Sequence, residues 1–313
     1  MRAILPLFLA FVTASCASAR PPSPDPGADA PAADVTPDPP PPLPSLVVVT
    51  FNLRTAWGKD GDNGWEFRKD LAADVIRKAA PDVMGTQEGL IVQCEDLAER
   101  LPEYAWVGEP RSGALTDEYE AIFYRTDRFE LVETRTLALS DTPEDLGSLF
   151  SDAQNNPRAL TWAHLRDRKS RRDLFVFNTH FDTSDVDDIR LKSAALLVKT
   201  IAAVAGTGPV VATGDFNDAP GSGPWNVLTG AQSYAGESGS LVDSWTELGL
   251  PDEPTTHQFT GVPNGNRIDW ILHSPGDFKA VEAEVLHDHD GIRYPSDHFP
   301  VKAVMECSGL PAL

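Results

Sequence analysis

Apolar and polar residues follow two different spacings along the chain from residue 46 onward. Short apolar runs rich in β-branched and aromatic residues, each bounded by polar breaks, predict buried or half-buried strands. These runs are SLVVVTFNL, DVMGTQE, YEAIFYR, RFELVETRTLAL, ALTWAHLRD, DLFVFNTHF, PVVATGDFN, NRIDWILHS and DHFPVKAVM. Strands that alternate with helices predict one α/β domain over residues 46–308, with a short tail at 309–313.

Three longer segments place apolar residues three and four positions apart, which predicts helices. They are FRKDLAADVIRKAAP, LIVQCEDLAERLPEY and DVDDIRLKSAALLVKTIAAV. In the first of them the spacing assigns one apolar face, and Pro81 ends the helix. That face consists of Phe67, Leu71, Val75, Ile76 and Ala79.

The first 45 residues show neither spacing. MRAILPLFLAFVTASCASAR has a basic start, an apolar run and then small residues, which predicts a secretory signal over residues 1–19. Cleavage before Cys16 would make a lipoprotein anchored through that cysteine, and ordinary cleavage after Ala19 is the alternative. Residues 20–45 are rich in proline and predict a disordered tether. We therefore expect an exported monomer, anchored by lipid at the outer membrane or cell surface, or otherwise periplasmic or secreted.

Composition limits the partners of the domain. The chain has 47 acidic and 26 basic residues, for a net charge of −21. Such a surface repels polyanions, and no cluster of basic residues indicates general affinity for nucleic acid. Export permits a disulfide between Cys94 and Cys307, and two free buried thiols are the alternative.

Polar residues of chemical interest lie at the ends of the predicted strands. Strand ends that share one edge of a sheet converge on a crevice, where α/β enzymes place their sites. The residues in question are Asn52, Glu88, His180, Asp215, Asn217, Asp269, Asp297 and His298.

Three of these residues offer oxygen ligands to a metal ion. Glu88 and Asp297 are carboxylates, and Asn52 adds an amide oxygen. A few oxygen ligands suit Mg²⁺, with Mn²⁺ or Ca²⁺ as alternatives. Such an ion would also hold an anionic substrate on an acidic protein.

The remaining residues could move protons and bind phosphate. His180 and His298 can exchange protons near neutral pH, and Asp269 in RIDW is a candidate partner for His298. Asp215 can orient or deprotonate a water, while Asn217 can donate a hydrogen bond to a phosphate oxygen. This set fits metal-assisted hydrolysis of a phosphoester. It fits acyl transfer poorly, because the GxSxG motif of serine hydrolases is absent from the sequence, and the GxxxxGK[ST] motif of P-loop proteins is absent too.

The ordered motifs TFNLR, TQE, NTHFD, GDFND, RIDWIL and PSDHFPV resemble those of the endonuclease/exonuclease/phosphatase superfamily, which includes the DNase I-like nucleases. The similarity is greatest to its bacterial branch of secreted metal-dependent hydrolases. It implies a four-layer α/β sandwich, with two mixed β-sheets packed face to face and helices on the outside. It also implies that Asn52, Glu88 and Asp297 hold the metal.

The same resemblance assigns catalytic and phosphate-binding roles. It implies that His298, paired with Asp269, acts as a base or polarises the phosphate. Asp215 would act on the nucleophilic water, and Asn217 would bind phosphate.

A second histidine completes the set that the resemblance implies. His180 would pair with Glu118, for which Glu120 is the nearby alternative. Arg158, in NNPRALTW, matches an arginine that contacts phosphate.

These features predict a phosphodiesterase or phosphomonoesterase that works outside the cytoplasm. The expected substrate is a small phosphorylated metabolite, a sugar phosphate or a lipid headgroup. An extracellular DNase I-like endonuclease is the alternative, and a non-catalytic surface binding module is a third hypothesis.

Overall fold

In the computed structural model, which describes residues 45–151, 154, 156–184 and 187–308, strands run from Leu46 to Cys307. The predicted signal peptide with Cys16, nearly all of the predicted tether and the tail at 309–313 lie outside the described residues. No helix in the part that the structure describes is both long and apolar enough to cross a membrane.

The secondary structure follows the alternation of strands and helices that the sequence predicts. The strands are β1 Leu46–Asn52, β2 Val83–Gln87, β3 Tyr104–Val107, β4 Ile122–Arg125, β5 Phe129–Ala138, β6 Ala159–Asp167, β7 Asp173–His180, β8 Val210–Asp215, β9 Val242–Asp243, β10 Asp269–His273, β11 Phe278–Val285 and β12 Val301–Cys307. The helices are α1 Trp65–Ala79, α2 Ile91–Arg100, α3 Asp187–Val204, α4 Gly223–Thr229 and α5 Ser244–Glu247, with a 3₁₀ turn at Gly61–Asn63.

The strands form two mixed six-stranded sheets. The first has the order β11-β12-β1-β2-β4-β3, and the second has the order β5-β6-β7-β8-β10-β9. One parallel pair lies at the middle of each sheet, β1 with β2 and β7 with β8, and the other neighbours are antiparallel. Because the two strands of each pair are parallel, their carboxyl ends lie side by side, and the residues that follow both strands come close together.

Three buried apolar clusters separate four layers. Val48 on β1 packs between the sheets with Val176 on β7, whereas the next residue, Val49, packs with helices α1 and α2. On the other side, Phe177 on β7 packs with Leu197 on α3. Successive strand residues therefore serve opposite faces, and each large buried side chain contributes about 1.5–3 kcal/mol. The predicted four-layer α/β sandwich is confirmed.

A polar network joins the two sheets close to the ends of the parallel strands. Asn178 on β7 accepts hydrogen bonds from Gln87 Nε2 (2.7 Å) and Thr213 Oγ1 (3.0 Å), and donates to the carbonyl of Thr86 (2.8 Å). Gly85 on β2 leaves room for it, since a Cβ there would lie 2.1 Å from Thr213 Oγ1. The network fixes the two sheets relative to each other.

Cys94 is a free buried thiol, and among the described residues no disulfide joins it to Cys307. Burial raises the pKa of the Cys94 thiol well above its usual range. The thiol therefore behaves as a small apolar group in the cluster between α2 and the first sheet.

Candidate active site

The two parallel strand pairs bring four of the predicted residues to one edge. Asn52 ends β1, and Glu88 follows the last residue of β2. In the second sheet His180 and Asp215 end β7 and β8 and are paired in register. Asp269 begins β10 directly opposite Asp215 in the antiparallel ladder.

His298 forms a buried pair with Asp269 across the two sheets. Its Nδ1 lies 2.9 Å from Asp269 Oδ2, which also accepts a hydrogen bond from Thr255 Oγ1. Burial alone would lower the pKa of His298, but the carboxylates of Asp269 and Asp215 raise it well above its usual range. The imidazole is therefore held as a cation that can donate a hydrogen bond through Nε2.

Asp215 lies at the centre of the site. Its Oδ2 is 3.9 Å from His298 Nε2 and 3.6 Å from His180 Nε2, and its Oδ1 accepts a hydrogen bond from the backbone N–H of Asn217 (3.0 Å). Burial and the neighbouring Asp269 raise the pKa of Asp215 to about 7. A carboxylate with that pKa can take a proton from a water near neutral pH.

Asn52 bridges two carboxylates with its amide nitrogen. Nδ2 donates to Glu88 Oε1 (3.1 Å) and to Asp215 Oδ2 (3.0 Å), while Oδ1 accepts from the backbone N–H of Arg54 (2.9 Å). To bind a cation through oxygen, as the sequence predicts, the Asn52 amide would have to turn over. In the structure it acts as a donor between Glu88 and Asp215.

Glu88 and Asp297 offer two carboxylates that repel each other. Glu88 adopts a left-handed backbone conformation (φ 60°) and accepts a hydrogen bond from the N–H of Thr55 (3.1 Å). Burial would raise the pKa of Glu88, but His298 and the hydrogen bond from Asn52 lower it below its usual value. Burial, together with the charge of Glu88, raises the pKa of Asp297. A hard cation would relieve this repulsion, so the pair fits the predicted magnesium site.

A second group of side chains has the spacing of a metal site. Candidate ligand atoms of Asp215, Asp269 and His298 lie within 4.8 Å of one another. Two of these side chains already share the 2.9 Å hydrogen bond between His298 and Asp269. We therefore favour Glu88 and Asp297 as the principal ligands.

His180 is fully enclosed beside Asp215. Its Nδ1 has no hydrogen-bond partner among the residues that the structure describes. Burial, followed by the positive charges of Arg158 and Arg111, lowers its pKa well below the usual value. His180 is therefore a neutral imidazole, and the structure does not bring it into hydrogen-bond contact with Glu118.

Glu118 pairs with Arg111 instead, at 2.5 Å between Nη1 and Oε2. Burial raises the pKa of Glu118 to about 7 even so. Glu120, the alternative partner of His180, is completely buried, and within the described part of the chain neither of its carboxyl oxygens has a hydrogen-bond partner. Burial raises the pKa of Glu120 to about 8.

The two predicted phosphate contacts have different surroundings. Arg158 is 4% exposed, and its Nε makes no hydrogen bond with the described residues; Oδ2 of Asp182 lies 3.8 Å from it. A buried guanidinium with an incomplete set of partners is suited to an anion. Asn217 has a left-handed backbone (φ 51°) and donates through Nδ2 to the carbonyl of Phe181 (2.9 Å).

Several supporting residues were not predicted. Thr255 orients Asp269, Arg111 pairs with Glu118, and Ser296 Oγ donates to the carbonyl of Asn52 (2.7 Å). Arg68 on α1 binds backbone carbonyls on both sides of the site. Sequence spacing gives no signal for such contacts, because their partners are far away along the chain.

Comparison with known proteins places this arrangement in a family. Residues 49–298 match the Endonuclease/Exonuclease/phosphatase family. A crystal structure of a protein of that family from Bacteroides thetaiotaomicron is 32% identical, with a TM-score of 0.76 over 86% of this chain and 100% of that one. A mannosyl-6-phosphatase from the same organism is also 32% identical, with a TM-score of 0.74 over 83% of this chain and 99% of that one.

Curated relatives share less of their length with the chain. Protein angel of Drosophila melanogaster is 27% identical over 176 residues, which is 53% of this chain and 47% of that protein. Across the relatives matched in this way, the chain spans about half of their length.

Proposed function

Because the chain belongs to the endonuclease/exonuclease/phosphatase family, we propose that it hydrolyses phosphate monoesters of small polar metabolites with a divalent metal ion. The observation that carries the proposal is the buried Asp269–His298 pair, in which Nε2 of His298 lies 3.9 Å from Asp215 Oδ2. A base and a charged donor are thereby held side by side, so that both can reach a group bound at one position next to them. That position suits a phosphate group and the water that attacks it.

The residues divide the work of hydrolysis. Asp215 orients the water and accepts its proton as the water oxygen attacks phosphorus. The bond between phosphorus and the ester oxygen breaks, the leaving alkoxide takes a proton from solvent water, and Asp215 returns its proton to the solvent. His298, fixed by Asp269, donates to a phosphoryl oxygen on which negative charge develops.

Other groups would bind the phosphate and the metal. Arg158 and Asn217 would contact phosphate oxygens, and neutral His180 would donate or accept a hydrogen bond beside them. Glu88 and Asp297 would hold Mg²⁺, with Mn²⁺ or Ca²⁺ as alternatives. Such an ion would stabilise charge on the phosphoryl oxygens.

The substrate class is inferred from charge and from similarity. A net charge of −21 opposes a long polyanion, and one structural relative at 32% identity is a mannosyl-6-phosphatase. These observations favour a sugar phosphate over DNA. A phosphorylated lipid headgroup belongs to the same chemical class of ester.

Direct assay of the purified protein tests the proposal. Sugar 6-phosphates, p-nitrophenyl phosphate, its bis ester, phospholipids and plasmid DNA would be incubated with Mg²⁺ or with EDTA. We expect metal-dependent phosphate release from the monoesters, lowered by about 10³-fold or more in Asp215→Asn. Asp74→Asn, which changes an exposed acid on α1, should leave turnover unchanged. Nicking of plasmid with no release from monoesters would instead identify a nuclease.

A further inference from the structure

One buried arginine outside the proposed catalytic set connects two segments of the site. Arg68 on α1 is 0% exposed. Its Nη1 donates to the carbonyls of Leu53 and Pro295 (2.9 Å to the latter), and its Nη2 donates to the carbonyl of Arg54 (2.6 Å). Nε donates to the carbonyl of Asn63 (2.9 Å). Because the guanidinium is planar and rigid, it holds these carbonyls at fixed separations.

The first segment on Arg68 orients Asn52 and Glu88. Leu53 and Arg54 follow β1 directly, and Arg54 has a left-handed backbone (φ 51°). The N–H of Arg54 donates to Asn52 Oδ1, and the N–H of Thr55 donates to Glu88 Oε2. Any movement of this loop therefore moves the Glu88 carboxylate.

The second segment leads to Asp297 and His298. Pro295 accepts from Arg68 and lies two residues before Asp297. The Arg68 guanidinium also lies 5.6 Å from the ring of Phe259, with Trp65 at 5.0 Å. The turn just before Phe259 donates the N–H groups of His257 and Gln258 to the carbonyl of Asp297.

We propose that Arg68 is a positioning residue that sets the separation between Glu88 and Asp297, and thereby the affinity of the site for a divalent cation. The inference rests on the proposed metal dependence. An apolar side chain could fill this buried space without the cost of burying a charge. The benefit of arginine lies in the carbonyls that it joins, one of which, that of Pro295, is 227 positions away from Arg68 along the chain.

Metal binding in the absence of substrate tests the role of Arg68. Mn²⁺ binding to the purified full chain would be measured by calorimetry and by electron paramagnetic resonance, alongside the free energy of unfolding. We expect Arg68→Lys to weaken Mn²⁺ binding by about 10–100-fold, because removal of a group that orients a metal ligand has effects of this size. The variant should also have a lower kcat at limiting Mn²⁺, and excess Mn²⁺ should restore much of that loss.

Arg128→Lys is a matched control. Arg128 donates to the carbonyl of Ser45, which directly precedes β1, and pairs with Asp82, which directly precedes β2. It therefore joins segments in the same way as Arg68, but at the opposite end of these two strands. The Arg128→Lys substitution should lower the free energy of unfolding and leave the affinity for Mn²⁺ unchanged. Phe259→Leu, which removes one ring beside Arg68, should weaken Mn²⁺ binding in the same direction and keeps the inference testable if Arg68→Lys does not fold.

The outcomes separate the two proposals. Wild-type protein that binds Mn²⁺, with Arg68→Lys or Phe259→Leu binding it equally well, would overturn the positioning role and leave the proposed function intact. Wild-type protein that binds no divalent cation would overturn the metal dependence itself, and the role of Arg68 with it.

Discussion

Glu120 shows how a single buried side chain can make stability depend on pH. Its carboxyl group is completely buried, and its oxygens make no hydrogen bond with the rest of the described structure. Burial raises its pKa to about 8, so the folded protein holds this proton more tightly than the unfolded chain does. The stabilisation is fully present below the ordinary pKa of a glutamate and is lost as pH rises through about 8.

Replacing Glu120 with Gln should remove the share of the pH dependence that this carboxyl contributes. The free energy of unfolding of the wild type should fall by a few kcal/mol, on the order of 1.4 kcal/mol per pKa unit, between about pH 4.5 and pH 8. In Glu120→Gln the decline over that window should be smaller by this share, and Glu118 and Asp215, whose pKa values burial also raises to about 7, should keep the remainder. Urea unfolding at a series of pH values measures the difference. Glu99→Gln, at an exposed position, serves as the control. A variant that declines as steeply as the wild type would show that the Glu120 proton is not held in the fold.

Individual elements were predicted well where they are buried on both faces. The runs for β1, β7 and β8 have nearly continuous burial and strong apolar signals. Strand β11 was not predicted, because it lies at a sheet edge and a shift in register after Ala280 interrupts the alternation of buried and exposed residues in FKAVEAEV. Strand β9 has two residues and is too short to give a pattern. Edge and very short strands thus depend on neighbours that a local window does not contain.

Helix α1 shows the same limit for a single face. The prediction that Phe67 faces the core is wrong, since that side chain is 49% exposed. Arg68 is buried in its place, together with Trp65 and Ala72. An arginine can be buried here only because carbonyls of distant segments accept its hydrogen bonds, and apolar spacing has no information about them.

The strand ends were the more predictable part of the site. Asn52, Glu88, His180, Asp215, Asp269 and His298 are brought together, since strand order and register determine their positions. The partner of His180 could not be predicted, because side-chain rotamers decide it and Glu118 is held by Arg111.

The packing of strand β2 against the second sheet requires a glycine at position 85. A Cβ at Gly85 would lie 2.1 Å from Thr213 Oγ1 and 2.3 Å from Asn178 Oδ1, in the network between the sheets. Both partners are fully buried and hydrogen-bonded, so neither can move without losing a bond. Overpacking of this kind typically costs about 1–3 kcal/mol, and broken buried hydrogen bonds add to it.

Gly85→Ala should therefore lower the free energy of unfolding by about 3 kcal/mol or more. Gly223→Ala is the comparison, because its nearest neighbour would be a methyl group of the half-buried Leu191. Chemical denaturation of both variants checks the difference. Equal stability of the two would mean that the sheets separate easily at this point.

At the scale of the whole chain, the expected location depends on Cys16. We propose that a lipid on this residue holds the domain at a membrane through the proline-rich tether. Cys16→Ala should release the full-length protein into the soluble fraction when it is expressed in a bacterium. Ala17→Ser, next to it, should remain with the membranes. If Cys16→Ala also remains there, the lipoprotein interpretation is wrong.

The two sheets divide the chain in an unequal way. Residues 129–273 supply every strand of the second sheet, while the first is built from the segments before and after them. Glu88 thus comes from one part and Asp215 from the other, and the hydrogen bond between His298 and Asp269 crosses the division. Neither part alone holds the complete set of proposed catalytic groups. Cutting the chain on both sides of the second sheet would give three fragments, each lacking some of these groups and therefore inactive alone, and recovered turnover would report that the three had reassembled.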